Sequence, residues 1–413
     1  MDTSLPASAV ETLLITVSGT DHPGITSSLM AILTAAEAQI GDVEQVVVRG
    51  HLVLGVVAGV PVPAAGTAAD ELRKELLLFG YTQDLQVSFE QVDPTPTDRR
   101  PGVVVTVMSH NVTSVHFGAV TSAIAAAGGN IDRIVRLARY PVMAYELAVH
   151  RADVEVLRGS LVEVARDQGL DIALQPEGLG RRAQRLVVLD VDSTLIQNEV
   201  VELLADEAGC GQQVRDITSR AMSGELDFEE SLRQRVKLLA GLTLDDLARA
   251  RDRMQLAAGA RTFVRTLQRL GFRIAIVSGG FSYFTDHLKA ELGLDHAFAN
   301  DLEIIDGVVT GEVTGRVVDR ARKAELLRHV AQLEGINEDQ TVAVGDGAND
   351  LDMLAAAGLG IAFNAKPVVR DAAHTSVSVP YLDAILFVLG VRRSEVEAAD
   401  EADGTPTEAP AIF

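Results

Sequence analysis

The chain has 413 residues and a formal net charge of -22, from 58 acidic and 36 basic side chains. This negative charge repels phosphate backbones and acidic lipid headgroups, so we expect neither a nucleic acid nor a membrane as a partner. The single cysteine, Cys210, excludes an intramolecular disulfide and a thiolate metal site, and the chain lacks any run of about 18 apolar residues, which together favour a cytoplasmic protein.

Two segments before residue 185 share one order of predicted elements: strand, helix, strand, strand, helix and strand. This order predicts two ferredoxin-like α+β sandwiches of about 75 residues each, at residues 11–92 and 102–176. Linkers rich in proline, glycine and charge separate the two segments from each other and from the rest of the chain. The apolar strands fall at residues 13–17, 43–48 and 52–57 in the first segment and at 103–107, 131–137 and 144–149 in the second.

A different pattern begins at residue 185, where apolar strands alternate with longer helices. The runs RLVVLD, RIAIVSGG and TVAVGDGAND predict an α/β domain over residues 185–396, with a doubly wound parallel sheet covered on both faces. The helical stretch at about residues 199–254 is too long for a simple crossover, so we expect an inserted cap. Asp306-Gly307 predicts a hairpin within residues 302–318. The acidic residues 397–413 predict a disordered tail.

Polar side chains follow the three predicted strands, and in open α/β sheets ligands bind at the carboxyl ends of the strands. Carboxylates gathered at one point repel one another unless a cation holds them, and oxygen ligands of this kind favour Mg²⁺. With the cation and Lys323 offsetting the charge, Asp190 can attack phosphorus and Asp192 can protonate the leaving alkoxide. The sequence therefore predicts a magnesium-dependent phosphatase acting on a small phosphate monoester. The candidate residues are Asp190, Asp192, Ser278, Gly279, Lys323, Asp346, Asn349 and Asp350.

Plainer interpretations of these residues compete with the catalytic one. Asp190 and Asp192 could be turn-forming residues after a strand, and Lys323 a solvated helix residue. A calcium loop starting at Asp190 fails, because its sixth and twelfth positions are Leu195 and Val201, where glycine and glutamate are needed. The chain has no GxxxxGK(S/T), GxSxG or HExxH motif. The order of the whole set favours catalysis.

The strand-end motifs carry a resemblance to a known family. DVDSTL, the VSGG turn, Lys323 and GDGAND resemble, in order, the four motifs of the haloacid dehalogenase-like phosphatases. Within that superfamily, DVDSTLIQNE and AMSGELDFEESLRQRV resemble the phosphoserine phosphatases. The resemblance implies that Asp190 is the nucleophile and Asp192 the acid and base. It also implies that Mg²⁺ is held by Asp190, the backbone carbonyl of Asp192 and Asp346, with the Asp350 carboxylate behind them.

The same resemblance implies O-phospho-L-serine as the substrate. Its phosphoryl group would be held by Ser278, Gly279, Lys323 and Asn349. In the cap, Glu199 would meet the substrate ammonium group and Arg235 its carboxylate, while Met222 and Phe228 close over the site. An acid and a bidentate guanidinium would together bind a free amino acid group in one orientation.

The two N-terminal segments resemble ACT domains, regulatory modules that bind amino acids at paired interfaces. The first carries the glycine-rich loop GTDHPG at residues 19–24, where the second reads SHNVTS at 109–114. The resemblance implies an effector, L-serine or another amino acid, bound between paired copies within one chain or across a homodimer. The implied contacts are Gly19, Asp21 and Gly24 of one copy and Asn130 of another.

Two other functions remain open from the sequence. The domain could hydrolyse a different small phosphomonoester, although Glu199 and Arg235 disfavour substrates without a free amino acid group. The chain could instead be an amino-acid sensor with a decayed phosphatase domain. The intact set Asp190, Asp192, Lys323 and Asp346 argues against decay.

Overall fold

The computed structural model describes residues 10–61, 68–93, 102–222 and 225–405, with the backbone alone at residues 68, 69 and 222. The chain divides into two compact units, residues 1–99 and 100–413. The first unit contains the first ferredoxin-like segment. The second unit contains the second such segment and the α/β domain.

The first unit is a four-stranded antiparallel sheet with two helices. Leu52, Leu54 and Val56 on the third strand are buried while the residues between them are more exposed, so one face of the sheet forms the core. The strand order is β2-β3-β1-β4, as a ferredoxin-like sandwich requires. The elements are β1 Val10–Thr20, α1 Ile25–Ala35, β2 Gln39–Val48, β3 His51–Pro61, α2 Ala68–Thr82 and β4 Leu85–Gln91.

The second ferredoxin-like segment repeats this topology, with the strand order β6-β7-β5-β8. Its sheet is apolar on both faces: Val105 and Leu147 pack with the segment's own helices, whereas Leu137 and Ala144 belong to the core of the α/β domain. This segment is therefore built onto the α/β domain. Its elements are β5 Val103–Ser109, α3 Ser114–Ala126, β6 Asn130–Ala138, β7 Met143–His150, α4 Val154–Gln168 and β8 Asp171–Pro176.

The α/β domain has a seven-stranded sheet in the order β12-β11-β10-β9-β13-β14-β15, parallel except at β12. It confirms the predicted doubly wound parallel sheet, and the predicted hairpin turns at Asp306 and Gly307, both with positive φ. The strands are β9 Leu186–Leu189, β10 Arg273–Phe281, β11 His296–Ile305, β12 Val308–Thr314, β13 Thr341–Gly345, β14 Leu359–Phe363 and β15 Thr375–Val377.

Helices cover both faces of this sheet and form the inserted cap. Among the described residues, no helix combines the length and apolar character needed to span a bilayer. Before the sheet comes α5 Leu179–Arg182. The cap contains α6 Val200–Glu207, α7 Gly211–Met222, α8 Phe228–Lys237 and α9 Leu244–Asp252. The remaining helices are α10 Ala260–Arg269, α11 Ser282–Leu292, α12 Arg320–Glu334, α13 Leu351–Ala356, α14 Pro367–Arg370, α15 Ile385–Val388 and α16 Arg393–Ala402.

The C-terminal helix corrects one prediction. A disordered tail from residue 397 is wrong for residues 397–402, which continue α16. The Asp400 carboxylate is 1% exposed and forms ion pairs with Arg265 at 2.8 Å and Arg269 at 2.6 Å, so it fastens the helix to α10. A segment rich in acidic residues is predicted to be disordered from its sequence, but here arginines distant in the chain neutralise the charge of Asp400. Residues 406–413 of the predicted tail lie outside the described residues.

Candidate active site

The candidate site lies at the carboxyl ends of three adjacent strands. β9 lies between β10 and β13, so Asp190, directly after β9, occupies the centre. Its N–H donates to the carbonyl of Val344 on β13 at 2.9 Å. Ser278 and Gly279 lie near the end of β10, and Asp346 directly follows β13. The fold thus brings the three predicted motifs to one edge of the sheet.

A buried lysine links two of the carboxylates. Lys323 Nζ lies 2.7 Å from Asp190 Oδ1 and 2.7 Å from Asp350 Oδ1, and the lysine side chain has no exposed surface. Burial lowers the pKa of Lys323, but the two carboxylates outweigh it and the net shift is upward, so the ammonium stays charged. For Asp190, burial and the charge of Asp350 raise the pKa well above its usual range, against the opposing effect of Lys323.

A third carboxylate completes an acidic cluster whose charge exceeds that of Lys323. Carboxylate oxygens of Asp190, Asp346 and Asp350 all lie within 4.8 Å of one another. Burial, and next the charge of Asp350, raises the pKa of Asp346 to about 6. Three hard oxygen donors around one point, with one ammonium group among them, fit a divalent cation of the magnesium or calcium type.

The loop after β13 is shaped around Asp350. Asp350 Oδ2 accepts the Gly347 N–H at 3.0 Å, while Oδ1 accepts from Lys323. A Cβ at Gly345 would overlap the Asp350 carboxylate, so a glycine is required there. Asp350 therefore orients the lysine and the loop, while its predicted place behind the metal ligands stays a prediction.

Asp192 faces the cap from the turn that follows β9. Its Oδ1 accepts the Val200 N–H at the start of α6 at 2.7 Å, and its Oδ2 accepts from Ser278 Oγ at 3.1 Å. Burial raises the pKa of Asp192, and these two hydrogen bonds oppose the rise. The Asp192 carboxyl is thereby fixed between the sheet and the cap.

The same turn places Ser193 against Glu199. Ser193 has φ 57°, an uncommon value for a non-glycine residue, and its Oγ donates to Glu199 Oε1 at 2.9 Å. Burial, followed by the neighbouring charge of Asp192, raises the pKa of Glu199 to about 7. The carboxyl group of Glu199 is thus poised to change charge near neutral pH.

Helix α8 provides the opposite wall, with Phe228 and Arg235 facing the site. A Cβ at Gly279 would lie 3.1 Å from the Phe228 ring, so the missing side chain at Gly279 makes room for the phenyl group. Arg235 Nε donates to the Ser231 carbonyl at 3.3 Å. Burial lowers the pKa of Arg235, and the charges of Glu199 and Asp192 oppose that shift. The Glu199 carboxyl and the Arg235 guanidinium thus face one cavity.

These walls enclose a cavity of about 700 Å³. Ser278, Lys323 and Asp350 are fully buried against it and hydrogen-bond to lining residues or to each other. The Met222 side chain lies outside the described residues, so its predicted contact stays a prediction. The predicted residues that line the cavity are Asp190, Asp192, Glu199, Phe228, Arg235, Gly279, Asp346 and Asn349.

Several residues at the site were missed from the sequence. Thr194 Oγ1 donates to Asp346 Oδ1 at 3.2 Å, and buried Asn300 joins the Gly279 carbonyl to the Val318 N–H, each at 2.8 Å. Lys366 lines the cavity after β14. Lys366 could have been predicted from its place after β14, because ligands bind at the carboxyl ends of parallel strands. The bridging role of Asn300 depends on contacts between residues distant in the chain.

The predicted effector residues fall in different units. Gly19, Asp21 and Gly24 lie at the turn between β1 and α1 in the first unit, where Gly24 precedes the helix with φ 101°. Asn130 begins β6 in the second unit, and its Nδ2 donates to Asp132 Oδ1 at 2.9 Å. The pairing of these two regions stays a prediction.

Comparison with known families agrees with this architecture. Residues 184–358 match the family model of the haloacid dehalogenase-like hydrolases. Residues 11–90 and 102–175 each match an ACT-domain model. The fold class predicted from the sequence is therefore confirmed by both the structure and the family models.

Individual relatives extend the match over nearly the whole chain. A phosphoserine phosphatase of Streptomyces coelicolor is 52% identical over 396 residues, covering 95% of both chains. A phosphoserine phosphatase of Mycobacterium tuberculosis is 48% identical over 398 residues, covering 95% of this chain and 96% of the relative.

Solved structures also resemble this chain over most of its length. A haloacid dehalogenase-family hydrolase from Salmonella enterica superposes with a TM-score of 0.62 at 32% identity, covering 70% of this chain and 98% of the other. A probable phosphoserine phosphatase from Vibrio cholerae superposes with a TM-score of 0.55 at 35% identity, covering 74% of this chain and 90% of the other.

The acidic cluster predicts how cation binding depends on pH. A protonated carboxyl cannot ligate, and the pKa of Asp346 is raised to about 6 while that of Asp190 is also raised. Lowering the pH from about 8 to about 5 should therefore weaken Mg²⁺ binding at least about tenfold. Calorimetric titration at both pH values measures this, with exposed Asp339→Asn as the control that keeps the wild-type response. Unchanged affinity at the lower pH would contradict the cluster as the cation site.

Proposed function

Since the chain belongs to the phosphoserine phosphatase family, we propose that its α/β domain hydrolyses O-phospho-L-serine to L-serine and phosphate through a phosphorylated Asp190. One observation carries the proposal for this chain's own residues. The cavity that contains Asp190 is also lined by Glu199 and Arg235, an acid and a guanidinium that match the two charges of a free amino acid group.

The first step is attack by Asp190 on phosphorus. A carboxylate oxygen of Asp190 forms the new bond to phosphorus as the bond to the serine oxygen breaks. The nucleophile must be ionised, although burial raises its pKa, and Lys323 at 2.7 Å favours the ionised form. Asp350 holds the other side of the lysine, so the ammonium group is fixed between the two carboxylates.

Asp192 is proposed to move the protons. The raised pKa of Asp192 favours a carboxyl that can give its proton to the leaving serine oxygen. After serine leaves, the Asp192 carboxylate takes a proton from water, which attacks phosphorus and frees Asp190 and phosphate. The hydrogen bonds from Val200 and Ser278 keep the carboxyl in place through both steps.

Asp190, Asp346 and the backbone carbonyl of Asp192 would hold the divalent cation, which we take to be Mg²⁺ because all donors are oxygens. When bound, the cation offsets the repulsion between the nucleophilic carboxylate and the phosphoryl oxygens. Ser278, Gly279, Lys323 and Asn349 would receive the phosphoryl group. Lys323 supplies the buried positive charge among them.

Specificity for an amino acid would come from the cap. Glu199 would accept the substrate ammonium group, and Arg235 would pair with the carboxylate through its planar fork of donors. Phe228, and Met222 in the same role, would exclude water above the reacting phosphorus. A phosphomonoester without both charges would leave Glu199 and Arg235 without counter-charges in the substrate.

We propose that the two ferredoxin-like segments bind an amino-acid effector in a homodimer, with L-serine as the leading candidate. Edge strand β2 supports a covering partner, because Ile40, Val43, Val46 and Val48 are each at least 41% exposed. The turn at Gly24 opens a helix N-terminus, which favours a ligand carboxylate. Asp21 there would pair with the ligand's ammonium group, and Asn130 of another copy with its carboxylate.

Substitution of Arg235 should affect the hydrolysis of phosphoserine more than that of other phosphomonoesters. Arg235→Ala should lower kcat/KM for phosphoserine at least about a hundredfold, yet change it less than about threefold for an aryl phosphate, which offers no carboxylate. Steady-state phosphate release measures both. Arg233→Ala is a matched control, because Arg233 lies on the same helix and pairs with Glu229 at its surface. Equal losses on both substrates would show that Arg235 has a structural role instead.

Asp21 tests the effector proposal. Serine should inhibit or activate the enzyme partly by a route that does not compete with substrate, and Asp21→Asn should remove that part while leaving kcat unchanged. Asp21 suits this test better than Gly19, where a new Cβ would lie 2.5 Å from Leu85 and disturb the fold. Exposed Asp70→Asn on α2 is the control. A serine effect that is purely competitive, or identical in Asp21→Asn, would overturn the proposal.

A further inference from the structure

A second cavity, of about 610 Å³, lies between the second ferredoxin-like segment and the α/β domain. Its walls come from β6, β7, α5, α10 and the stretch from residue 389 into α16. It shares no lining residue with the active-site cavity. We call it the arginine cleft, because its charged lining consists of two glutamates, Glu146 and Glu395, and five arginines, Arg133, Arg181, Arg182, Arg269 and Arg392.

Two of the arginines are held by carboxylates and form a fixed wall. Arg181 pairs with Glu146 at 2.8 Å, and both side chains are almost nine-tenths buried. Arg181 also donates to Gln175 Oε1 at 3.3 Å. Arg269 pairs with Asp400 and with Asp403, each at 2.6 Å. These pairs fix the geometry of the cleft and leave little uncompensated charge in its wall.

The other three arginines bring positive charge that has no such partner. Arg133, Arg182 and Arg392 are exposed, and within the part of the chain that the structure describes no carboxylate lies within ion-pair distance of their guanidinium groups. In a chain of net charge -22, three unpartnered guanidinium groups at one cavity are a local reversal of sign.

From this juxtaposition we propose that the arginine cleft binds a small polyanion of the phosphate class. Three planar guanidinium groups from separate elements can each pair with phosphate oxygens of a di- or triphosphate, whereas a singly charged anion offers too little charge to pair with all three. Glu395 is the exposed acid at the cleft, and it disfavours weakly charged anions while several phosphate charges outweigh it. The cleft is large enough for such a ligand.

The arginine cleft lies where the second ferredoxin-like segment meets the α/β domain, so a ligand bound there would contact both. Arg133 belongs to the second ferredoxin-like segment, and Arg182 ends α5, the last helix before β9, the strand that Asp190 follows. Arg392 leads into α16, whose Asp400 is tied to α10. An anion that binds all three arginines would therefore hold the segment against the catalytic domain.

The test uses the whole 413-residue chain and tripolyphosphate in a metal-free buffer of low ionic strength without chelator. Calorimetric titration should show saturable binding to the wild-type chain. The triple variant Arg133→Gln/Arg182→Gln/Arg392→Gln should weaken that binding at least about tenfold. The matched control Arg166→Gln/Arg215→Gln/Arg328→Gln removes three exposed arginines elsewhere in the same unit and should keep wild-type affinity.

Three outcomes would overturn the proposal: no binding to the wild-type chain, equal affinity in all three proteins, or equal weakening in both triple variants. The last would mean attraction by overall charge alone. A second measurement does not depend on the variants folding. Tripolyphosphate should protect Arg182 and Arg392 of the wild-type chain from an arginine-modifying dicarbonyl, as read by mass spectrometry, while Arg166 stays reactive. Unprotected Arg182 and Arg392 would equally refute the site.

Discussion

The buried ammonium group of Lys323 is the constraint on which the site depends. It has no exposed surface and lies 2.7 Å from both Asp190 and Asp350. A buried charge without partners is costly, so α12, the end of β9 and the loop after β13 must converge for this lysine to be tolerated. The same convergence fixes the Asp190 carboxylate at the centre of the sheet edge. Stability and catalytic geometry therefore share one interaction.

The cap extends this electrostatic arrangement to the substrate. Asp192, the proposed acid and base, accepts the first N–H of α6, so its carboxyl group and the cap are positioned together. Glu199 and Arg235 then face the cavity with opposite charges. Desolvation raises the pKa of Glu199 and lowers the pKa of Arg235, so it favours the neutral form of each. A substrate that supplies both counter-charges would pair with both groups at once, and for this reason we propose an amino acid ester of phosphate as the substrate and not the ester of a neutral alcohol.

The position of the candidate residues at the strand ends could be predicted because it depends on local rules. Asp190, Ser278 and Asp346 each follow an apolar run, and parallel strands bring such residues to one edge. The hairpin at Asp306-Gly307 is equally local. Contacts between distant segments could not be predicted in this way. The tail prediction failed because Arg265 and Arg269, far away in sequence, compensate Asp400. The sequence likewise did not predict that the sheet of the second ferredoxin-like segment would pack one of its apolar faces against the α/β core.

In the proposed reaction, the phosphoryl group is transferred to Asp190 before water releases it. Borohydride reduction of the enzyme during turnover of phosphoserine converts an aspartyl phosphate to homoserine, which peptide mass spectrometry can locate in the sequence. We expect homoserine at position 190, dependent on both substrate and divalent cation, and none in Asp190→Asn. Homoserine at another aspartate, or turnover without any reduced aspartate, would contradict it.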